Sequence, residues 1–186
     1  MKKLLIITLS LVMMMPMAYA KEIGGTSLPD SLLASEDQLL LNGAGLRKKF
    51  FIKVYAGGLY LKQKMNNPQE IIDADGPMAI RMHFIYDGVS SKKLIDGWNE
   101  GFNNATKGNT SPIKTEIDQF NAFFSEEARK NDIYDIIYIP DQGASVYMKG
   151  KLKGTVKGLT FKKALFSIWL GAKPADAKLK KGMLGK

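Results

Sequence analysis

The sequence predicts an α+β fold on three observations. Strand-like stretches fill the first third of the chain, two amphipathic helices follow a two-faced central strand, and strand character returns before a last apolar helix. Strands and helices that come in separate runs indicate α+β, whereas alternating βαβ units would indicate a parallel sheet. The segment "KEIGGTSLPDSLLASEDQLLLNGAGL" alternates short apolar pieces with Gly, Pro and Asp turn signals, as consecutive hairpin strands do. Phe50 to Leu61 is rich in aromatic and β-branched residues and reads as one long strand bent at Gly57-Gly58. "NPQEIID" predicts a short helix starting at Pro68, because proline suits a first helical turn.

Met78 to Tyr86 places Met78, Ile80, Met82 and Phe84 on one face of a strand, with Arg81 and His83 on the other. After the turn at Asp87-Gly88, Ser90 or Ser91 caps a helix running to about Thr106, in which Leu94, Trp98 and Phe102 form one stripe. Ile113, Ile117, Phe120 and Phe124 mark the apolar face of a second helix, with Pro112 in its first turn. "DIYDIIYIPDQGASVYMKGKLKGTVKG" holds two or three strands, with turns at Pro140 to Gly143 and around Gly150. Thr160 is expected to cap the helix "FKKALFSIWLG", which ends at Gly171, and a basic helical turn closes the chain.

The first twenty residues, MKKLLIITLSLVMMMPMAYA, combine a lysine head, an apolar run and the small-residue ending Ala18-Tyr19-Ala20. This is the pattern of a signal peptide cleaved after Ala20, which predicts residues 1–20 as leader and 21–186 as one domain in the periplasm or otherwise exported. An uncleaved membrane anchor is the alternative. The formal charge of +9 becomes +7 without Lys2 and Lys3. Such a surface suits weak contact with anionic membranes, or simply keeps the protein soluble. An exported chain without a concentrated basic stripe gives no reason to expect nucleic acid as a partner.

With 0 cysteines and 1 histidine, the chain has no thiol chemistry, and a metal site would need clustered carboxylates, which the sequence lacks. No metal or cofactor is expected. Gly43-Ala44-Gly45 lacks the third glycine of a dinucleotide fingerprint, since Lys48 stands there, and its glycines are expected to permit a tight strand turn; no Walker-type sequence or G-x-S-x-G elbow occurs. Arg47 reads either as a surface ion-pair partner beside Lys48 and Lys49 or as a ligand cation, and Tyr55 as a packed sheet residue or a hydroxyl donor.

The stretch "LNGAGLRKKFFIKVYAGGLYL", Leu41 to Leu61, together with "FKKALFSIWLG" and the turn at Gly143, closely resembles the chalcone isomerase-like family, and its exported bacterial branch above all. The resemblance covers nearly all of residues 21–186. It implies an open-faced β-sandwich, a large antiparallel sheet with helices on one side and a ligand cleft between them. It also implies that Arg47 holds a ligand oxygen or carboxylate, with Tyr55, at a position where the fatty-acid binders carry tyrosine and the isomerases threonine, as second donor. Where the isomerases carry a tyrosine and an asparagine on the following helix, this chain has Ser90 and Gly97, with Asn99 or Tyr86 as substitutes under a shifted alignment. The expected function is therefore an exported, non-catalytic protein that binds a small amphiphile such as a fatty acid. The alternatives are an intramolecular lyase or isomerase, and an envelope protein whose cleft is filled by its own side chains.

Overall fold

The computed structural model describes residues 20–186, so the predicted leader lies outside the described residues apart from Ala20. Strands β3 (Ser31–Ala34), β4 (Asp37–Lys49), β5 (Ile52–Leu61), β6 (Met78–Phe84), β7 (Ile133–Ile139), β8 (Gly143–Met148) and β9 (Lys151–Val156) pair in that order into one antiparallel sheet. Strands β1 (Ala20–Ile23) and β2 (Thr26–Pro29) form a separate hairpin. The helices are α1 (Pro68–Asp73), α2 (Ser91–Ala105), α3 (Lys114–Ala122), α4 (Leu159–Leu170) and α5 (Ala177–Met183).

Period-two alternation decides which way the sheet faces. Met78, Ile80, Met82 and Phe84 of β6, with Tyr134, Ile136 and Tyr138 of β7, join the main core with Trp98, Phe120 and Trp169 from the helices. On the opposite face Leu28, Leu41, Ala44 and Tyr60 make a smaller core together with Ile23, so the β1–β2 hairpin covers that side. The sheet is thus packed by helices on one face, as an open-faced sandwich requires. Arg81 lies on the hairpin face and forms a two-pronged ion pair with Asp135 of β7, each contact 2.7 Å. His83 meets Thr26 there.

Several local expectations are corrected. The long strand starts at Ile52, because Phe50 and Phe51 form a two-residue turn after Lys49. Gly43 and Gly45 do not make a turn. They lie within β4, where a bulge between Leu41 and Gly43 shifts the register. The extra residue, Asn42, inverts the alternation, so that Leu39 and Leu41 before it, and Ala44 after it, face the hairpin side. Buried Asn42 satisfies itself by donating to the carbonyls of Met65 (2.9 Å) and Met183 (2.8 Å) and accepting from the Met65 amide (2.8 Å).

The glycines left on the helix side make a seat for α5. A Cβ at Gly43 would land on the Gly182 carbonyl oxygen, and one at Gly45 would lie 3.0 Å from Leu179 Cα. At Gly57 it would lie 2.9 Å from Met183 Cε. Leu179 and Met183 of α5 are fully buried by this close approach. α4 is capped by Gly158, not Thr160: Gly158 has φ +106, which its missing Cβ allows, and Thr160 sits inside the first turn. Gly171 does occupy the C-cap, in extended backbone.

Candidate functional site

Arg47 and Tyr55 are direct cross-strand partners in the β4–β5 register, both on the helix side of the sheet. The bulge at Asn42 puts Arg47 there, since without it Arg47 would fall on the hairpin face. The two residues line one end of a cleft of about 410 Å³ between the sheet and helices α2 and α4, within the range that holds small organic ligands. Tyr55, Met82 and Phe84 form its floor. Leu94, Trp98 and Gly101 of α2, Ile168 of α4, and Pro174-Ala175 supply the walls. The mouth carries Lys49, Phe50, Ile52, Tyr86 and Lys93. The interior is therefore largely apolar, with a permanent cation and a phenol at one end.

Tyr55 is held tightly. Its ring packs edge-on against Phe84 at 5.7 Å, and its hydroxyl oxygen accepts a 3.0 Å hydrogen bond from the indole N–H of Trp169. Burial pushes its pKa up to about 12, outweighing the Trp169 hydrogen bond and the Arg47 charge, so the hydroxyl keeps its proton. With its oxygen accepting from Trp169, the hydroxyl keeps its own proton to give, and no side chain or backbone group among the described residues accepts it. Trp98, which packs 5.6 Å from Trp169, also has a buried indole N–H without a partner among the described residues.

Arg47 is held from two sides. Its Nη1 donates to the Lys48 carbonyl and lies 3.9 Å from Asp176 Oδ2, with about a quarter of the side chain exposed. Asp176 is the N-cap of α5: Oδ1 accepts from the amides of Lys178 (2.8 Å) and Leu179 (3.0 Å), while Oδ2 accepts from the Lys48 amide (3.0 Å). Burial alone would raise the Asp176 carboxyl, but these three amides and the Arg47 guanidinium hold it below the usual range. Its lone pairs are mostly spent on backbone, and the 3.9 Å contact leaves the guanidinium fork with donors to spare.

The structure therefore brings the two predicted residues together and adds two that sequence reasoning missed. Trp169 was legible only as a buried residue of the last apolar helix. Asp176 carried a weak signal, an acid just before "AKLKK", as N-caps often are. Of the helix positions where the isomerases carry polar groups, Gly97 lines the cleft with no side chain to offer, and the Ser90 hydroxyl caps α2 by accepting from the Lys93 amide. Asn99 points to α3, where its Oδ1 accepts from Asn121 at 2.8 Å. Tyr86 stands at the mouth, 40 % exposed. Among the described residues, no group of three or more His, Cys, Asp or Glu side chains is placed to hold a metal ion.

Comparison with known proteins agrees with this architecture. The family model described as chalcone isomerase-like matches residues 20–185. Fatty-acid-binding protein 1 of Arabidopsis thaliana is 24 % identical over 189 residues, covering 86 % of this chain and 67 % of the relative. The crystal structure of an Arabidopsis thaliana fatty-acid binding protein superposes with a TM-score of 0.75 at 21 % identity, covering 89 % of this chain and 96 % of that one.

Proposed function

Since the chain belongs to the chalcone isomerase-like family, we propose that it binds a long-chain fatty acid, or an amphiphilic carboxylate like it, in the cleft between sheet and helices. One observation carries the reading: an apolar cleft of about 410 Å³ ends at a paired arginine and phenol, both donor groups. Arg47 supplies a positive charge and a fork that fits the two oxygens of a carboxylate. Tyr55 adds a hydroxyl proton, its oxygen already accepting from Trp169. Met82, Phe84, Leu94 and Ile168 enclose the tail without asking for hydrogen bonds.

The relative and the structural neighbour support the ligand class, because both are fatty-acid-binding proteins. The isomerase alternative needs polar groups on α2 facing the cleft. Here Gly97 offers none and Ser90 is committed as a cap. The proposal also keeps the chain exported, on the strength of the leader pattern in residues 1–20.

Displacement of a fluorescent fatty acid from the purified protein tests the reading. Palmitate is expected to displace the probe, and methyl palmitate, with the same tail and no charge, to do so at least tenfold more weakly. Equal displacement by acid and ester would overturn the head-group assignment, and failure of the probe to bind would overturn the cleft as an acyl site.

A further inference from the structure

The β4–β5 turn is built against ordinary hairpin chemistry. Two-residue hairpins favour Asn-Gly, Asp-Gly or Gly at positions of positive φ. Here the two positions hold Phe50 and Phe51, and Phe50 has φ +56, a conformation costly for a bulky side chain. Neither ring is repaid by packing, since Phe50 is 87 % and Phe51 100 % exposed. Ile52 and Tyr86 extend this apolar tip, both more than a third exposed. Turn propensity and core packing both leave the Phe-Phe pair unexplained, and backbone strain at an exposed apolar site is a mark of function.

Charge singles out the partner. Between Leu46 and Val54 the chain carries Arg47, Lys48, Lys49 and Lys53 and no acid. Among the described residues Lys48, Lys49 and Lys53 form no ion pair, so three ammonium groups flank the two rings. The acids at the cleft rim, Asp96 and Glu100, lie on α2, and Asp96 is paired with Lys92 at 2.7 Å. Two protruding aromatics ringed by unpaired lysines match the two layers of an anionic membrane surface: apolar side chains enter the headgroup–acyl boundary while lysines meet the phosphates. A folded protein partner would require a shaped apolar pocket for each ring, and the lysine ring adds nothing to that fit.

We propose that the β4–β5 tip docks this protein on anionic bilayers, with Phe50 and Phe51 inserted and Lys48, Lys49 and Lys53 on the headgroups. The tip borders the cleft mouth, which is lined by Lys49, Phe50 and Ile52, so docking sets that mouth against the lipid. Passage of an acyl chain between bilayer and cleft rests on the proposed function, whereas docking does not.

Co-sedimentation with vesicles of equal parts phosphatidylglycerol and phosphatidylcholine tests the proposal, with pure phosphatidylcholine as control. The side chains of Phe51, Lys48 and Lys53 are outside the cleft lining, and Lys48 meets Arg47 and Asp176 through its backbone alone, so these substitutions keep every contact of the site. The wild type is expected on the anionic vesicles and not on the control. Phe51→Ser should lower partitioning roughly tenfold or more, from lost apolar burial. Lys48→Gln with Lys53→Gln should lower it roughly twenty-five-fold, at about fivefold per lysine, an effect that high salt erases. Each variant is also titrated with fatty acid in the absence of vesicles. Unchanged affinity there alongside lost docking supports the tip as a separate device. Docking that persists while no fatty acid binds sinks the cleft reading and leaves the tip standing. Phe51→Ser sedimenting like wild type, or wild type ignoring anionic vesicles, overturns the proposal. So does a wild-type dimer that Phe51→Ser converts to monomer without vesicle binding, since the tip would then meet a second copy of the chain.

Discussion

Replacing Asp176 with asparagine is expected to strengthen fatty-acid binding. A ligand carboxylate at Arg47 must share the guanidinium with Asp176, whose Oδ2 is 3.9 Å from Nη1, so the two anions sit close together. At about 5 Å two like charges repel by roughly 1 kcal/mol in water and about 3 kcal/mol at an effective dielectric of 20, with the partly exposed pair falling between. Removing one charge should therefore raise affinity by roughly fivefold to a hundredfold, most at low salt. Asparagine is as good an N-cap as aspartate, so α5 keeps the bonds to Lys178 and Leu179, while the bond from the Lys48 amide to Oδ2 is lost if the amide nitrogen takes that place. The stability cost is about 1 kcal/mol. Titration calorimetry with fatty acid reads this gain, and by the same measurement Arg47→Ala should weaken binding by about 1.5 to 3 kcal/mol and Arg47→Lys by less, because lysine keeps the charge and loses the fork. Tyr55→Phe should cost about 0.5 to 1.5 kcal/mol in binding, and some stability besides, since buried Trp169 Nε1 loses its acceptor. If Asp176→Asn leaves affinity unchanged and Arg47→Ala binds as tightly as wild type, the Arg47–Asp176 pair is a latch for α5 and the ligand head lies elsewhere.

Gly43→Ala should destabilise the fold by about 3 kcal/mol or more in thermal unfolding, because its Cβ meets only backbone of residues 182–185 and α5 must lift, exposing Leu179 and Met183. Gly97→Ala, with open space around it, should instead gain up to about 1 kcal/mol from helix propensity. Lys162, fully buried in α4, donates to the carbonyls of Ile71 (3.2 Å), Ile72 (2.9 Å) and Ala74 (2.6 Å) at the end of α1, and burial draws its pKa from 10.5 down to about 8. Between about pH 8 and 10 the unfolded chain holds a proton that folded Lys162 has released, so its contribution to stability rises with pH in that window. Urea titrations across the window should show Lys162→Met flattening this rise, so that the stability it costs, through three carbonyls that lose their donor, grows as the pH passes from about 8 to 10. Chalcone cyclisation, followed by absorbance, should not run appreciably faster than the spontaneous rate, and an Arg47-dependent acceleration of many orders would restore the isomerase alternative. If the leader reading holds, intact mass of the protein recovered from the periplasmic fraction should correspond to a chain beginning at Lys21; a membrane-bound species retaining residues 1–20 would refute it.

How far the sequence could be read depended on whether a residue's job was set by its own element or by a distant one. The two-faced strand Met78–Phe84 and the helix Ser91–Ala105 were legible because alternation and a four-residue stripe are written into neighbouring positions. The pairing of Arg47 with Tyr55 came from the family resemblance, and the register places them opposite each other. The glycines of β4 misled because two causes leave the same trace: Gly-x-Gly marks a turn when the chain reverses, and equally a strand that another backbone approaches. What distinguishes them is α5, 132 residues or more further on, whose short basic sequence shows only that it is helical. Asp176 was hidden for the same reason, since its charge matters to Arg47 only after Gly43, Gly45 and Gly57 have let α5 down onto the sheet. The bulge at Asn42 links both points. Shifted by that one residue, the strand turns glycines toward α5 and carries Arg47 to the cleft side, so the seat of the last helix and the cation of the site are consequences of a single extra residue.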